Sequence, residues 1–138
     1  MSPKCERPRV LACLAVLALL SAGLGNVAAQ ASDSAQKYPN VVSVKVLSSG
    51  ADTFNFDVTV SSPYDTAQRY ADAFRVMGKD GKVFGERKFL HDHADEQPFT
   101  RDLYFVKIPH GIRMVVVQAR DQRYGYGGKA VELALPGR

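Results

Sequence analysis

The stretch V-V-S-V-K-V-L-S-S-G-A-D-T-F-N-F-D-V-T-V, residues 41–60, decides the fold class of this chain. Val44 and Val46 alternate with polar neighbours, and after a turn at residues 48–50 the apolar side chains of residues 54–60 do the same. Successive side chains of a strand point to opposite faces, so a period of two predicts strands with one buried face and one wet face. Two such strands joined by a short turn are typical of an antiparallel sheet.

The pattern continues toward the C-terminus. Phe74 and Val76 precede Lys79-Asp80-Gly81-Lys82, a tight-hairpin signal, after which residues 83–90 return. Further strands are predicted at 99–108, 112–120 and 130–135. No segment has a helical period with caps. We expect an all-β, seven-stranded Greek-key β-sandwich over residues 41–138, with a small barrel as the competing architecture. The phenylalanines at strand alternation, Phe56 and Phe105 among them, are expected in its core.

The corner before the sixth strand carries a resemblance. Ile108-Pro109-His110-Gly111, followed by alternating Met114, Val116 and Gln118 and then Ala119-Arg120-Asp121, resembles the corresponding corner of fibronectin type III and related immunoglobulin-like modules. The chain departs from that pattern in three ways. It has no Trp in the third strand and lacks the disulfide cysteines of true immunoglobulin domains, and Arg113 and Met114 stand near the place of the absent corner tyrosine. The resemblance implies an immunoglobulin-like fold with a binding or spacer role.

The N-terminus reads as an export signal. Lys4, Arg7 and Arg9 precede an apolar run over residues 10–20, and Val27-Ala28-Ala29 offers a small-residue cleavage site. We expect residues 1–29 to be a signal peptide, 30–40 a flexible N-terminal segment and 41–138 the domain of a periplasmic or secreted protein. The apolar run is shorter than the roughly 20 residues that a membrane span needs, so no span is expected.

Composition excludes several classes of function. Cys5 and Cys13 lie in the predicted leader, so the mature chain has no thiol for a disulfide, a cysteine nucleophile or a type 1 copper site. Of 18 Lys+Arg and 14 Asp+Glu, the leader takes three and one, which leaves 15 against 13. Because no basic cluster exceeds two residues, no nucleic-acid partner is expected.

Loop lengths indicate where function lies. Connections of a sandwich alternate between its two ends, so residues 62–70, 91–98 and 121–128 share one end, while tight turns share the other. Long loops on a rigid sheet are where such folds carry function. The predicted contacts to an unknown protein or saccharide partner combine aromatic rings with a cation. They are Tyr64, Arg123, Tyr124 and Tyr126.

The segment His91-Asp92-His93-Ala94-Asp95-Glu96 offers an alternative. His91 and His93 at i and i+2 of an extended chain point to one side, so both imidazoles could bind one Zn²⁺ or Cu²⁺, with Asp95 or Glu96 as an oxygen ligand. A third nitrogen is lacking, since His110 falls at the opposite end. The competing interpretation is a hydrogen-bonded surface turn with no cofactor.

Catalysis has weaker support. Ser61 or Ser62 with His93 and Asp65 supplies the residue types of a triad, yet no nucleophile elbow surrounds either serine. Asp95 and Glu96 are adjacent, so their side chains point apart and do not face each other across a bond. The sequence therefore favours a non-catalytic binding module, with the metal-binding protein as the alternative and a small hydrolase below it.

Overall fold

The computed structural model describes residues 36–138, and the predicted signal peptide with Cys5 and Cys13 lies outside the described residues. This part of the chain is all-β, and it contains no helix that could cross a membrane. The strands are β1 (Asn40–Gly50), β2 (Thr53–Ser61), β3 (Ala71–Met77), β4 (Val83–Lys88), β5 (Phe99–Lys107), β6 (Met114–Asp121), β7 (Gly125–Tyr126) and β8 (Val131–Ala134).

The strands form two antiparallel sheets. One has the order β1-β2-β5, and the other the order β4-β3-β6, with β7 and β8 pairing in turn along the remaining edge of β6. Every pairing is antiparallel. The predicted all-β class is confirmed, and the arrangement is consistent with a β-sandwich.

One core collects the inward side chains of both sheets. In β2 every second residue is buried, and the same alternation holds in β6. The period of two that predicts the strands therefore also selects the core. Its centre consists of Phe56, Val58, Val60, Phe74, Val76, Val115 and Val117.

The structure has one strand more than predicted. Gly125 and Tyr126 lie in the expected loop 121–128, but they pair with Asp121 and Arg120 of β6. Gly125 and Gly128 have φ values of 85° and 72°, a conformation that side chains disfavour, and the chain bends at Gly128. The glycines thus keep this segment against β6 instead of loosening it.

The described part of the entry segment, residues 36–40, contacts the domain, whereas the sequence predicts a flexible segment over residues 30–40. The Arg69 guanidinium donates to the carbonyls of Gln36 and Lys37 at 3.1 and 2.7 Å. The Tyr38 ring occupies the space in front of Gly127, where a Cβ would lie 2.5 Å from it. The absence of a side chain at Gly127 therefore leaves the space in which the entry segment packs.

A bulge interrupts β5. The register with β2 shifts between Phe54 and Phe56, and Phe105 takes a φ of 59° while its N–H donates to Asn55 Oδ1 at 2.9 Å. The extra residue turns the Phe105 side chain outward, where it is 74% exposed. The prediction that Phe105 lies in the core is wrong, because the alternating pattern of apolar residues does not show where a bulge inserts an extra residue.

Candidate functional site

The three long loops meet at one end of the domain, as the alternation of connections predicts. Asp65 of the β2–β3 loop contacts His93 of the β4–β5 loop, and Arg69 of the first contacts Asp121 at the end of β6. We call this surface the loop end. Its order depends on two buried carboxylates.

Asp65 joins the first loop to the second. It is buried, and its Oδ1 accepts the N–H of Ala71 while its Oδ2 accepts the N–H of His93, both at 3.0 Å. Gln97 adds a second link, since it accepts the N–H of Ser62 at 2.8 Å and donates to the carbonyl of His93 at 3.0 Å. Backbone groups that have no strand partner are satisfied here by side chains.

Asp121 fixes the third loop. Its Oδ1 accepts the N–H groups of Arg123 and Tyr124, both at 2.8 Å, and its Oδ2 accepts from Arg69 Nε at 3.0 Å. The carboxylate is fully buried, and the paired Arg69 side chain is 19% exposed. The turn after β6 is therefore held by a charge-assisted network.

Aromatic rings stack on this network. The Arg69 guanidinium lies 4.1 Å from the Tyr64 ring centre and 5.0 Å from that of Tyr124. Lys37 lies 4.9 Å from the Tyr124 ring, which also meets Tyr38 edge-on. These cation–π contacts leave Tyr124 46% exposed at the loop end.

Two of the four predicted contact residues are not exposed at the loop end. Tyr64 is buried, and burial together with the Asp121 carboxylate raises the pKa of its hydroxyl. It supports Arg69 from below and is not presented to a ligand. Tyr126 lies on the outer face of the sheet, where its hydroxyl donates to Glu86, its ring is 3.8 Å from the Arg75 guanidinium, and burial raises its pKa. Arg123 and Tyr124 remain exposed at the loop end.

The two histidines are brought together as predicted. Their ring centres are 4.9 Å apart. His91 is exposed, with its Nδ1 2.8 Å from the carbonyl of Asp92. His93 is buried and stacks on Phe99 at 3.9 Å, and its Nδ1 has no hydrogen-bond partner within the described residues. Burial lowers the pKa of His93, and the nearby charges of Arg101 and His91 lower it further.

The expected oxygen ligands are not arranged around this pair. Glu96 binds Arg101 through two hydrogen bonds of 2.9 and 3.3 Å, which lower the pKa of Glu96, and Asp95 is exposed. Across residues 36–138 no group of three or more His, Cys, Asp or Glu could hold a metal ion. His110 contacts Asp52 at 3.3 Å, at the turn between β1 and β2. The metal prediction therefore rests on two imidazoles.

The triad candidates also converge, but through other atoms. Asp65 accepts the backbone N–H of His93 and makes no hydrogen bond with its imidazole. Ser62 Oγ accepts a hydrogen bond from Gln97 Nε2 at 3.2 Å. This geometry orders the loops and provides no proton relay from serine to histidine.

A cavity that no sequence pattern indicated lies beside the histidines. It measures about 190 Å³ and lies where β4 ends and β5 begins. The one sequence signal related to this cavity was the basic pair at 87–88. Its third cation, Arg101, lies in the other sheet, so the three cations come together only through the packing of the two sheets. The side chains around it include Arg87, Lys88, Leu90, His91, His93 and Arg101.

Comparison with known proteins adds one relative. No protein-family model matches the chain, and no solved structure matches it. The chain is similar to a protein of Halomicrobium mukohataei named "Putative lipoprotein", with 39% identity over 92 residues. The matched stretch is 67% of this chain and 45% of that protein, so the chain spans about half the length of the relative it matches.

Proposed function

We propose that this chain is an exported, envelope-associated protein whose described domain is a non-catalytic binding module. The export signal predicted at residues 1–29 and the lipoprotein name of the relative both support export. The observation that carries the binding role is the loop end, where Asp65 and Asp121 hold three loops through backbone N–H groups. Loops ordered before binding lower the entropy cost of capturing a ligand.

The same proposal extends to the finer fold. The strand order β1-β2-β5 in one sheet and β4-β3-β6-β8 in the other supports a seven-stranded Greek-key, immunoglobulin-like module of the fibronectin type III kind. In this interpretation β7 is a two-residue extension preceding β8 on the same edge of β6. The absence of the Trp, of the corner tyrosine and of the disulfide cysteines of true immunoglobulin domains would make it a divergent module of this kind.

The loop end is chosen over the opposite end on composition. It exposes an aromatic ring, a guanidinium and an imidazole at Tyr124, Arg123 and His91, next to Leu90, which is 88% exposed. Aromatic rings and arginine are enriched at protein interfaces, and aromatic rings also stack on sugars. The partner is accordingly a protein or a saccharide of the envelope, and no covalent chemistry is required of the site.

Photo-cross-linking from the exported protein in producing cells tests the choice of end. A benzophenone side chain replaces Tyr124 in one sample and Lys82, in the opposite turn, in the other. Adducts from position 124 alone support the proposal, and adducts from position 82 alone contradict it.

For a saccharide partner, binding to a glycan array should be lost with Tyr124→Ala and retained with Lys82→Ala. Intact mass of the exported protein tests the leader separately: cleavage after Ala29 removes Cys13, whereas a product that retains Cys13 with an added lipid mass would be a lipid-anchored protein.

A second candidate function is binding of Zn²⁺ or Cu²⁺, which the 4.9 Å separation of the His91 and His93 rings favours. Titration of the purified protein with Zn²⁺ tests it. His91→Ala and His93→Ala should each abolish binding, whereas His110→Ala should leave it unchanged because His110 lies beside Asp52. Equal loss in all three variants would contradict this function.

A further inference from the structure

The cavity at the end of β4 has an unusual lining for a space of about 190 Å³. Three cationic side chains and two imidazoles surround it, and no carboxylate belongs to its lining. Leu90 provides an apolar wall. Arg87 and Lys88 come from β4 and Arg101 from β5, so the cations converge across the gap between the two sheets.

Hydrogen-bond donors remain available on each cation. Arg101 uses its two Nη atoms on Glu96 and on the carbonyl of Thr100, and Arg87 uses Nη1 on Asp102. A guanidinium carries five N–H donors, so both keep further ones. Lys88 has no ion-pair partner within the described chain and is exposed.

His93 forms part of the cavity wall. It is 5% exposed, and its Nδ1 is enclosed and has no hydrogen-bond partner in the described part of the chain. Because this nitrogen is enclosed, a solute in the cavity would contact the cations and not Nδ1. The polar contacts of the cavity therefore come from its cationic rim.

We propose that this cavity binds a single oxyanion group, a carboxylate, sulfate or phosphate, on Arg87, Lys88 and Arg101. The guanidinium fork matches the geometry of an oxyanion. Because the same cations would repel a divalent metal on His91 and His93, oxyanion binding here and the metal-binding alternative exclude each other. A volume of about 190 Å³ is below that of pockets for drug-sized ligands, so one charged group enters and any larger body remains outside. The biological role of this anion site rests on the proposed binding function, since the bound oxyanion would belong to the partner of the loop end.

Nitrogen-15 NMR of the purified exported protein at constant ionic strength tests the site. The probes are inorganic phosphate and galacturonate, with galactose as the neutral counterpart. The amides of Lys88, His91 and Arg101 should shift saturably with both anions and not with galactose. Tighter binding of galacturonate than of phosphate assigns the oxyanion to a saccharide, and the reverse order assigns it to a phosphoryl group or free phosphate.

Variants separate the cavity from general charge. Lys88→Gln with Arg101→Gln should weaken anion binding at least about tenfold, whereas Lys45→Gln with Arg113→Gln, which removes two exposed cations elsewhere, should leave it unchanged. Lys88→Gln alone leaves the Arg101–Glu96 pair intact and should still weaken binding several-fold, which guards against misfolding of the double variant.

Absence of saturable shifts, or equal losses in both double variants, would overturn the site. If no anion binds while cross-links still form from position 124, the proposed anion site is wrong and the proposed function of the loop end stands. If anions bind while cross-links form only from position 82, the cavity stands and the proposed function is wrong.

Discussion

Asp121 shows how much of the loop end depends on one side chain. Its carboxylate accepts two backbone N–H groups and the Arg69 guanidinium, and Arg69 in turn carries the Tyr64 and Tyr124 rings. The residue is fully buried, so water cannot replace these hydrogen bonds when the carboxylate is removed. The position of Tyr124 is thus set by a residue three positions earlier in the chain.

We expect Asp121→Ala to lower the free energy of unfolding by about 3 kcal/mol, because removing one partner leaves Arg69 uncompensated and two N–H groups unpaired. Urea unfolding of the purified protein measures this. The matched control is Glu132→Ala, which breaks the exposed ion pair with Lys79 and should cost at most about 0.5 kcal/mol. Equal losses in both variants would show that the Asp121 network is not a structural support.

Phe105 gives the opposite case of a residue that costs stability. Its φ of 59° lies in the left-handed region, and its side chain is 74% exposed, so little packing compensates for the strain. Phe105→Gly should leave the free energy of unfolding unchanged or raise it by about 1 kcal/mol. Urea unfolding again decides, and a loss above about 1 kcal/mol would mean that the exposed ring packs on the sheet.

Two tyrosines give the fold a dependence on alkaline pH. Burial and the Glu86 carboxylate raise the pKa of Tyr126, and burial raises that of Tyr64. In the unfolded chain tyrosine loses its proton near pH 10. The folded state then holds more protons than the unfolded state, so stability present below about pH 10 falls as the pH rises beyond it.

Urea midpoints at about pH 9, 10 and 11 should therefore decrease. Tyr126→Phe should make this decrease shallower, because the variant has no hydroxyl to titrate at that position. A midpoint that stays constant or rises across this range would contradict the burial of these hydroxyls.

At the scale of elements, side-chain alternation was sufficient for the strands that form the core. Residues 54–60 alternate without interruption, and β2 follows them with the predicted face inward. β7 was missed because two residues are too few to show an alternating pattern, and because its pairing depends on the positive φ values at Gly125 and Gly128. Packing of the entry segment was missed because it depends on the absence of a Cβ at Gly127 and Gly128.

Gly128→Ala should cost about 2 kcal/mol or more of unfolding free energy. A Cβ there would lie 2.2 Å from the carbonyl oxygen of Pro39, and the φ of 72° adds strain. The control is Gly111→Ala, where no atom lies within 4 Å of the added Cβ, and thermal unfolding compares the two. A similar effect of both substitutions would argue against close packing of the entry segment on this glycine.

For the whole molecule, connection alternation correctly predicted which loops share an end. The contacts that turn this end into a site join residues far apart in sequence: Arg69 with Asp121, Asp65 with His93, and the cations of β4 with Arg101 of β5. Sequence pattern carries no signal for such pairs. Tyr64 and Tyr126 were assigned to the surface for the same reason, since their partners Arg69 and Glu86 were unknown.

Amide hydrogen exchange of the ligand-free protein is the most direct measurement of whether the three loops are assembled before a ligand arrives. The N–H groups of Ala71, His93 and Tyr124 are held by carboxylates and should exchange far more slowly than that of the exposed Lys79 in the opposite turn. Asp121→Ala, which removes both acceptor oxygens, should release the Tyr124 N–H and leave that of Ala71 protected by Asp65. Exchange of all three amides as fast as that of Lys79 would contradict a preassembled loop end.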